Sequence, residues 1–347
     1  MATCNDELKE HDNNHTPHKE KKFNAKEFLF DHISDAHEWH ILTYKDKHIS
    51  LYLPVILISK KNGLVSFSSR KFHHGHSAYN YKDCKYKLEL EGDNKGKIVE
   101  YCKNGTSSIP FDISIKKNIV ALFFSIFLIA WIFISAARLY RKNRKKPPRG
   151  LQSFLEPIII FVRDDIARQS IGEKNYEKFT PYLLTVFFFI WINNMLGIIP
   201  IPPGGANLTG NIAVTGVLAL FTLITTNLSG NKNYWKHIFN TPGVPIWLKI
   251  PPIMPLIELF GIFTKPIVLM IRLFANITAG HLITLGFLSL IFVFGEKSTT
   301  MGIVFSPLSI IFLLFMMFLE LLVAFIQAFV FTFLSALYIG FAVEEHH

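Results

Sequence analysis

Long apolar stretches run through the chain from residue 118 onward and predict several membrane-spanning helices. The first, at about 118–139, opens with twenty uncharged residues, enough to cross a hydrocarbon core of ~30 Å at ~1.5 Å per residue. Residues 179–231 contain no Asp, Glu, Lys or Arg, but the sequence IPIPPGGAN interrupts them. Because proline and glycine do not continue a helix there, we predict a hairpin of two spans at about 179–199 and 208–229.

Two further apolar segments, 252–294 and 303–343, are too long for ordinary spans. As helices they would measure ~64 Å and ~61 Å, about twice the thickness of a bilayer core. Each could form two spans, but neither has a polar turn in its middle. We therefore favour two long, kinked and strongly tilted helices joined by the short turn FGEKSTTMG (294–302). Pro266 would loosen the first of them by removing a hydrogen bond to Ile262. The prediction is therefore five membrane crossings.

A run of basic residues directly after the first span orients the chain. Such runs mark the cytoplasmic side, and the loop 231–251 carries three lysines and no acid, as a cytoplasmic loop should. Apolar residues at helical spacing against charged ones over 151–171 predict an amphipathic helix on the cytoplasmic face. The amino-terminal region is then expected outside and the carboxyl terminus inside. The basic run consists of Arg138, Arg141, Lys142, Arg144, Lys145, Lys146 and Arg149.

The amino-terminal region has a different character. Residues 1–27 are charged and rich in His, with little to bury, and are predicted to be disordered. Over 28–117, alternating apolar and β-branched residues predict a small β-rich extracytoplasmic domain. In an oxidising compartment Cys84 and Cys102 could pair, although their spacing does not decide this. Because export of this region normally needs an apolar signal, we expect a cleaved signal segment or a different start site.

Composition agrees with this division. Half of the 347 residues are hydrophobic, yet the formal net charge is +10. Residues 1–117 hold 19 of the 36 Lys and Arg and 16 of the 26 Asp and Glu, so the remaining 230 residues are sparsely charged. The class is a mainly α membrane protein with a polar amino-terminal region. This distribution excludes a wholly soluble enzyme, a disulfide-stapled miniprotein, and a nucleic-acid-binding protein as the explanation of the basic charge.

Ionisable side chains interrupt the tilted pair of helices, where a charge costs at least ~2.5–3.5 kcal/mol. Extension of the side chain toward the membrane surface could explain Lys265, but it does not account for all five ionisable residues. Glu258, Lys265 and Arg272 are seven residues apart and so share a helical face, which Asn276 extends. On the second long helix, Glu320 and Gln327 are also seven residues apart and form a second polar stripe. Two such stripes on facing helices indicate an ion path. The ionisable set is Glu258, Lys265, Arg272, His281 and Glu320.

Arg272 is the most informative member of this set. Its guanidinium stays protonated at any working pH, so it acts as a fixed positive charge rather than as a proton relay. At ~4 Å and an effective dielectric near 20, it would attract a carboxylate by about 4 kcal/mol. That attraction lowers the carboxylate's pKa by about 3. Because no acid of this chain is mobile in the required sense, the carboxylate is expected to belong to a partner.

Four ordered motifs resemble subunit a of F-type ATP synthases. The segment IRLFANITAGHLI (271–283) is similar to the family signature and places its arginine on Arg272 and its asparagine on Asn276. The other three are NNMLGIIP (193–200), ELFGIFTKPI (258–267) and ELLVAFIQAFVF (320–331). They carry Asn194, Glu258, Lys265 and Gln327 at family positions. The extended amino terminus resembles that of Bacteroidetes-type bacterial members.

The resemblance implies a proton-translocating stator subunit without a catalytic site or cofactor of its own. The two tilted helices would pack against a c-subunit ring in the bacterial inner membrane, beside the subunit b stalk. Arg272 would separate two half-channels and prevent leakage between them. Glu258, His281, Glu320 and Gln327 would line aqueous access, with Asn194 and Asn276 assisting. The sequence does not decide between proton and sodium as the coupling ion.

One departure from many bacterial members is informative. Those members carry a glutamate at the first of two positions and a histidine at the second, whereas this chain carries His281 and Glu320. If the two side chains meet across the helices, either order supplies one acid and one imidazole, so we expect them to be in contact. A self-contained transporter or channel remains an alternative, but an internal repeat is not evident. An intramembrane enzyme is a weaker alternative, because His281 and Glu320 do not match a paired metal motif.

Overall fold

The computed structural model is mainly helical, with a small β-rich region at its amino-terminal end. Some residues on which the sequence predictions rest lie outside the part that the structure describes. They are the tail 1–27, the basic residues 144–146 and 149, and Lys249 of the loop 231–251. The described residues are 35, 37–44, 47–72, 77–89, 92, 94, 96–103, 105, 107–142, 147, 150–199, 204–239 and 253–344.

Nine strands lie in the described residues of the amino-terminal region. A hairpin pairs β1 with β2, a three-stranded sheet has the order β4-β3-β9, and a four-stranded sheet has the order β5-β6-β7-β8. Side chains of both larger sheets, including Val55, Leu57 and Tyr86, share one buried cluster because alternate residues of each strand point inward. The strands are β1 Glu38–Tyr44, β2 Lys47–Tyr52, β3 Pro54–Ser59, β4 Gly63–Ser68, β5 Tyr79–Tyr81, β6 Cys84–Leu88, β7 Ile98–Cys102, β8 Ser107–Ser108 and β9 Phe111–Asp112.

The β region is fastened to the first helix by charged groups. Asp112 contacts His37 Nε2 at 2.9 Å and Lys116 Nζ at 3.2 Å, one residue before the helix begins at Lys117. Burial alone would raise the pKa of Asp112, but hydrogen bonds from His37 and Ser114 outweigh burial and hold that pKa well below its usual range. The Asn118 backbone N–H donates to Asp35. These contacts tie the last strand to the helix that follows it.

Seven helices follow in the described part of the chain. Four are long and apolar enough to cross a membrane: α1, α3, α6 and α7. A fifth crossing is counted if α4 and α5, which meet at 102°, together form one bent span. The helices are α1 Lys117–Lys142, α2 beginning at Leu151, α3 Tyr176–Ile198, α4 Ile212–Leu228, α5 Lys232–Phe239, α6 Ile253–Lys297 and α7 Thr299–Val343.

Helix α2 changes its geometry along its length. It is α-helical over Leu151–Ile160, π-helical over Phe161–Arg168 and ends with the short turn Gln169–Ile171. Its apolar residues Val162 and Ile166 are buried in the protein core, packed among α3 and α7, while Arg163 remains exposed. The apolar face of the predicted amphipathic helix is therefore covered by the protein itself.

The two longest helices form a hairpin. Each has 45 residues, or about 68 Å, and only Ser298 separates them. The predicted polar turn over 294–302 is thus almost entirely helical. Close approach at this end depends on Gly302, where an added Cβ would lie 3.0 Å from Gly295 Cα. The rings of Phe294 and Phe305 stack across the hairpin with centroids 4.2 Å apart.

An aromatic cluster holds α3 against the hairpin and α1. Phe187, Phe188 and Trp191 of α3 contact one another, with Phe325 of α7 and Phe133 of α1 packed at their edges. These large rings bury α3 in the centre of the helical part. Because α3 is fixed in this way, the polar residues near its carboxyl end face the space between α6 and α7.

Candidate functional site

A histidine and a glutamate form a largely buried pair between α6 and α7. His281 Nδ1 is 2.8 Å from Glu320 Oε1, and Thr284 donates a long hydrogen bond of 3.4 Å to Glu320 Oε2. Glu320 is 6% exposed. Gly280 permits this approach, because a Cβ there would sit 3.3 Å from the carboxylate. We call His281, Thr284 and Glu320 the acid–imidazole site.

Asn194 connects α3 to this site. Its amide oxygen accepts from Thr209 Oγ1 at 2.6 Å, and its Nδ2 donates to the carbonyl of Ala324 at 3.4 Å. Ala324 lies one helical turn beyond Glu320 on α7, so Asn194 sits beside the acid–imidazole site. The imidazole also faces α3, where a Cβ on Gly197 would lie 3.5 Å from His281 Nε2.

Several polar atoms around this site lack a hydrogen-bond partner within the described residues. They include Glu320 Oε1, whose contact with His281 is close but not in hydrogen-bond geometry, and the amide nitrogen of Asn207. Buried polar atoms are normally paired with protein or with ordered water. The arrangement therefore suits water molecules or a transferable proton better than a closed structural network.

A cavity of about 190 Å³ opens at the other end of the helical hairpin, where α6 begins and α7 ends. That volume holds several water molecules. It is lined by residues of α5, α6 and α7, several of them polar or ionisable, and Glu258 also interacts electrostatically with Tyr234. The polar lining, which we call the hairpin-end cavity group, is Asn233, Tyr234, His237, Glu258, Lys265 and Glu344.

A smaller cavity of about 20 Å³, room for one water, adjoins the first and shares Tyr234, Ile262 and Lys265 with it. Lys265 Nζ lies 5.5 Å from the ring centre of Tyr338. Thr222 also lines this space and contacts Ser335 Oγ at 3.2 Å and Tyr182 Oη at 2.9 Å. Polar groups therefore extend from the larger cavity into the helix bundle.

Arg272 lies between the two groups along α6. It is seven residues from Lys265 and nine from His281, or about 10 Å and 14 Å along the helix axis. Its side chain is exposed and makes no ion pair or hydrogen bond with a described residue, although it interacts electrostatically with Tyr338. Asn276, one turn further, is also exposed. The guanidinium thus remains open to a partner on the outer surface of α6.

The structure groups most of the sequence-predicted residues. It brings His281, Glu320 and Asn194 together, and it places Glu258 and Lys265 at a separate cavity. Gln327 is buried on α7, seven residues after Glu320, and has no hydrogen-bond partner among the described side chains.

The sequence interpretation missed His237, Tyr234 and Glu344. By sequence, Tyr234 and His237 belong to a loop and Glu344 to a tail. In the structure, Tyr234 and His237 lie on the short helix α5, and Glu344 directly follows α7. Outside the helices, the structure joins Cys84 to Cys102 in a disulfide. Within the described residues, one cluster has metal-ligand spacing, Cys84, Glu100 and Cys102, and its sulfurs are already bonded to each other.

Comparison with known proteins finds two family matches along the chain. The ATP synthase A chain family matches residues 119–340, and a separate family described as a domain of unknown function, DUF8433, matches residues 28–118. Over 244 residues the chain is 41% identical to ATP synthase subunit a of Chloroherpeton thalassium, covering 68% of this chain and 69% of that protein.

Two other relatives are also ATP synthase subunits a. ATP synthase subunit a 2 of Chlorobaculum tepidum is 43% identical over 241 residues, covering 68% of this chain and 65% of the relative. ATP synthase subunit a of Myxococcus xanthus is 42% identical over 243 residues, covering 68% and 75%. The family match contains Arg272, the acid–imidazole site and every member of the hairpin-end cavity group except Glu344. The chain is therefore a multi-pass membrane protein that belongs to the ATP synthase subunit a family.

Proposed function

We propose that this chain provides the stationary part of a proton path with two half-channels, separated by Arg272. The observation that carries the proposal is the division of the polar side chains into two groups on either side of that arginine. One group is the acid–imidazole site with Asn194, and the other is the hairpin-end cavity group. A single continuous channel would not need a permanent charge between its two parts.

The acid–imidazole site is suited to accept protons from water. A carboxylate and an imidazole at 2.8 Å can share one proton, and either can release it when the other is neutral. Because Glu320 Oε1 is left without a conventional hydrogen bond among the described residues, water can supply one. Asn194 and Thr209 hold the wall of this half-channel in place. Gln327, further along α7, would extend the polar lining toward Arg272.

Arg272 would act on a carboxylate of a partner ring. The exposed guanidinium attracts an ionised carboxylate by about 4 kcal/mol at ~4 Å and an effective dielectric near 20, so a protonated carboxylic acid that arrives from lipid loses its proton there. The same positive charge repels a proton that would pass directly between the half-channels. The partner proposed is a ring of c subunits that carries one acid per subunit through the bilayer, with Asn276 close to the contact.

The hairpin-end cavity group forms the second half-channel in this proposal. Its acids Glu258 and Glu344, with His237, can receive protons that leave the ring, and the cavity is large enough for water to carry them onward. Lys265 adds a positive charge between this cavity and Arg272. The proposed orientation places this cavity toward the cytoplasm, and the β region, whose sheets precede α1, on the opposite side. The subunit b stalk is the proposed stationary partner.

Substituting Arg272 tests the proposal. We expect Arg272→Ala to abolish ATP-driven proton pumping in inverted membrane vesicles, while the ATP synthase complex still assembles. Thr264→Ala is a matched control, because Thr264 is an exposed polar residue of the same helix that bonds only to the Phe260 carbonyl in the described structure. The control is expected to pump normally. Pumping by Arg272→Ala at the control level would remove the proposed role of Arg272.

A self-contained channel is the second candidate function, because the two polar groups could also conduct without a ring. Purification of the complex distinguishes them. A ring of small two-helix subunits that copurifies with this chain supports the translocating subunit, whereas proton conduction by the isolated chain in liposomes would favour the channel.

A further inference from the structure

The β region contains a buried carboxylate that the ion path does not use. Glu100 of β7 is 1% exposed and accepts hydrogen bonds from three hydroxyl groups. Ser59 Oγ is 2.8 Å and 2.9 Å from its two oxygens, Tyr86 Oη is 3.0 Å from Oε1 and Ser108 Oγ is 3.3 Å from Oε2. Three donors around one carboxylate fix its position.

The strand register places this carboxylate beside the disulfide. Cys84 pairs directly with Cys102, and Tyr86 pairs with Glu100, two residues along each strand. Side chains two apart on a strand share one face, so the sulfurs and the carboxylate lie together. Cys102 Sγ is 3.5 Å from Glu100 Oε1, and the reactive atoms of Cys84, Glu100 and Cys102 all lie within 4.8 Å of one another.

The two cysteine residues differ in exposure. Cys84 is 3% exposed, whereas Cys102 is partly exposed. In a thiol–disulfide exchange the oxidant must reach a sulfur from solvent, so it would meet Cys102 first. The second step then depends on the buried Cys84, and only a thiolate attacks a disulfide. A buried thiol therefore needs a nearby proton acceptor.

We propose that Glu100 is the base that closes the Cys84–Cys102 disulfide. The Cys102 thiolate attacks a small-molecule or protein disulfide, forms a mixed disulfide and releases one thiolate of the oxidant. Glu100 then takes the proton of Cys84, whose thiolate attacks Cys102 Sγ. The new Cys84–Cys102 bond forms as the mixed-disulfide bond breaks, and its electron pair leaves with the second thiolate of the oxidant. Two electrons pass from the two cysteines to the oxidant, and Glu100 returns its proton to solvent.

The test follows the closing step directly. The reduced, full-length protein in the Cys4→Ser background is mixed with glutathione disulfide, quenched with acid at intervals and analysed by intact mass. Glu100→Gln is expected to close roughly tenfold more slowly and to accumulate the glutathione adduct, because the amide cannot accept the proton. Glu89→Gln is the matched control. It removes a carboxylate that accepts a hydrogen bond from the exposed Tyr101 of β7, and it should close like the unsubstituted protein.

The pH profile separates a base from a structural acid. With Glu100→Gln the closing rate should rise about tenfold per pH unit below the thiol pKa of about 8.5, whereas the unsubstituted protein should show a shallower rise. Glu100→Asp, which keeps a carboxylate, should restore part of the rate. Equal rates and pH profiles for Glu100→Gln and the unsubstituted protein would overturn the proposal.

The order of attack is tested without any substitution of Glu100. With Cys84→Ser the glutathione adduct should form on Cys102 several-fold faster than it forms on Cys84 in the Cys102→Ser protein, since Cys102 is the more exposed residue. Faster reaction at Cys84 would contradict the assigned order, even if Glu100→Gln fails to fold.

Discussion

The two polar groups that flank Arg272 are built in different ways. The acid–imidazole site is nearly closed: Glu320 is 6% exposed, and its closest contacts are with His281 and Thr284. The hairpin-end cavity group surrounds about 190 Å³ of open space and includes two acids, a histidine and a lysine. One group depends on a single short contact, whereas the other offers several titratable side chains around a cavity that is large enough for water.

This difference predicts unequal tolerance of substitution. Where one pair carries the proton, the loss of either member leaves a buried group without its partner, and such losses are costly. Where several acids and water share a cavity, each can replace another. In the proposed path both groups are necessary, because Arg272 lies between them, but only the closed group is expected to fail after a single change.

The largest effect within the groups is predicted for the closed site. His281→Glu or Glu320→His alone should lower proton pumping roughly a hundredfold, because each change leaves two acids or two imidazoles in contact. The double exchange restores one acid and one imidazole and should recover part of the activity. ATP-driven acidification of membrane vesicles measures all three. Equal pumping by the single and double variants would show that the contact does not matter for transport.

A smaller effect is predicted at the open cavity. Glu258→Gln should lower pumping only about threefold, because His237, Glu344 and water remain available to carry protons. Combining it with Glu344→Gln should lower pumping further than either single change. The same vesicle assay, with the amount of assembled complex as reference, measures this. A loss from Glu258→Gln as large as that from Glu320→His would remove the distinction between the groups.

The smallest effect is predicted at the wall of the closed site. Thr209→Val keeps the side-chain volume but removes the 2.6 Å hydrogen bond to Asn194, which should cost about 1 kcal/mol of stability. Thermal inactivation of the purified complex measures that cost, while pumping at low temperature should stay close to normal. A severe pumping defect would mean that Thr209 takes part in the path rather than in its support.

Much of the membrane part could be predicted from the sequence. The mainly helical class follows from uncharged stretches of the right length, and the family resemblance from ordered motifs around Arg272. The contact between His281 and Glu320 was expected because an acid and an imidazole had exchanged positions relative to related chains. Such a pair can be read from sequence, since both members lie inside recognisable motifs.

The sequence did not reveal features that depend on how distant segments meet. The cavity brings His237 and Glu344 to Glu258 although they are far apart along the chain, and periodicity within one helix carries no record of that. The π-helical stretch Phe161–Arg168 also carries no distinct pattern of residues. The turn between α6 and α7 was placed too broadly, because Glu296 and Lys297 are polar residues that nevertheless continue α6.

The central claim is that the two groups open to opposite sides of the membrane, and labelling of introduced cysteines tests it most directly. Asn233→Cys reports on the cavity, and Thr284→Cys on the acid–imidazole site, each in the Cys4→Ser background with the native disulfide intact. A membrane-impermeant thiol reagent is added to right-side-out or inverted vesicles. We predict that the Asn233→Cys protein is labelled only from the cytoplasmic side and the Thr284→Cys protein only from the opposite side. Labelling of both proteins from the same side would contradict the account.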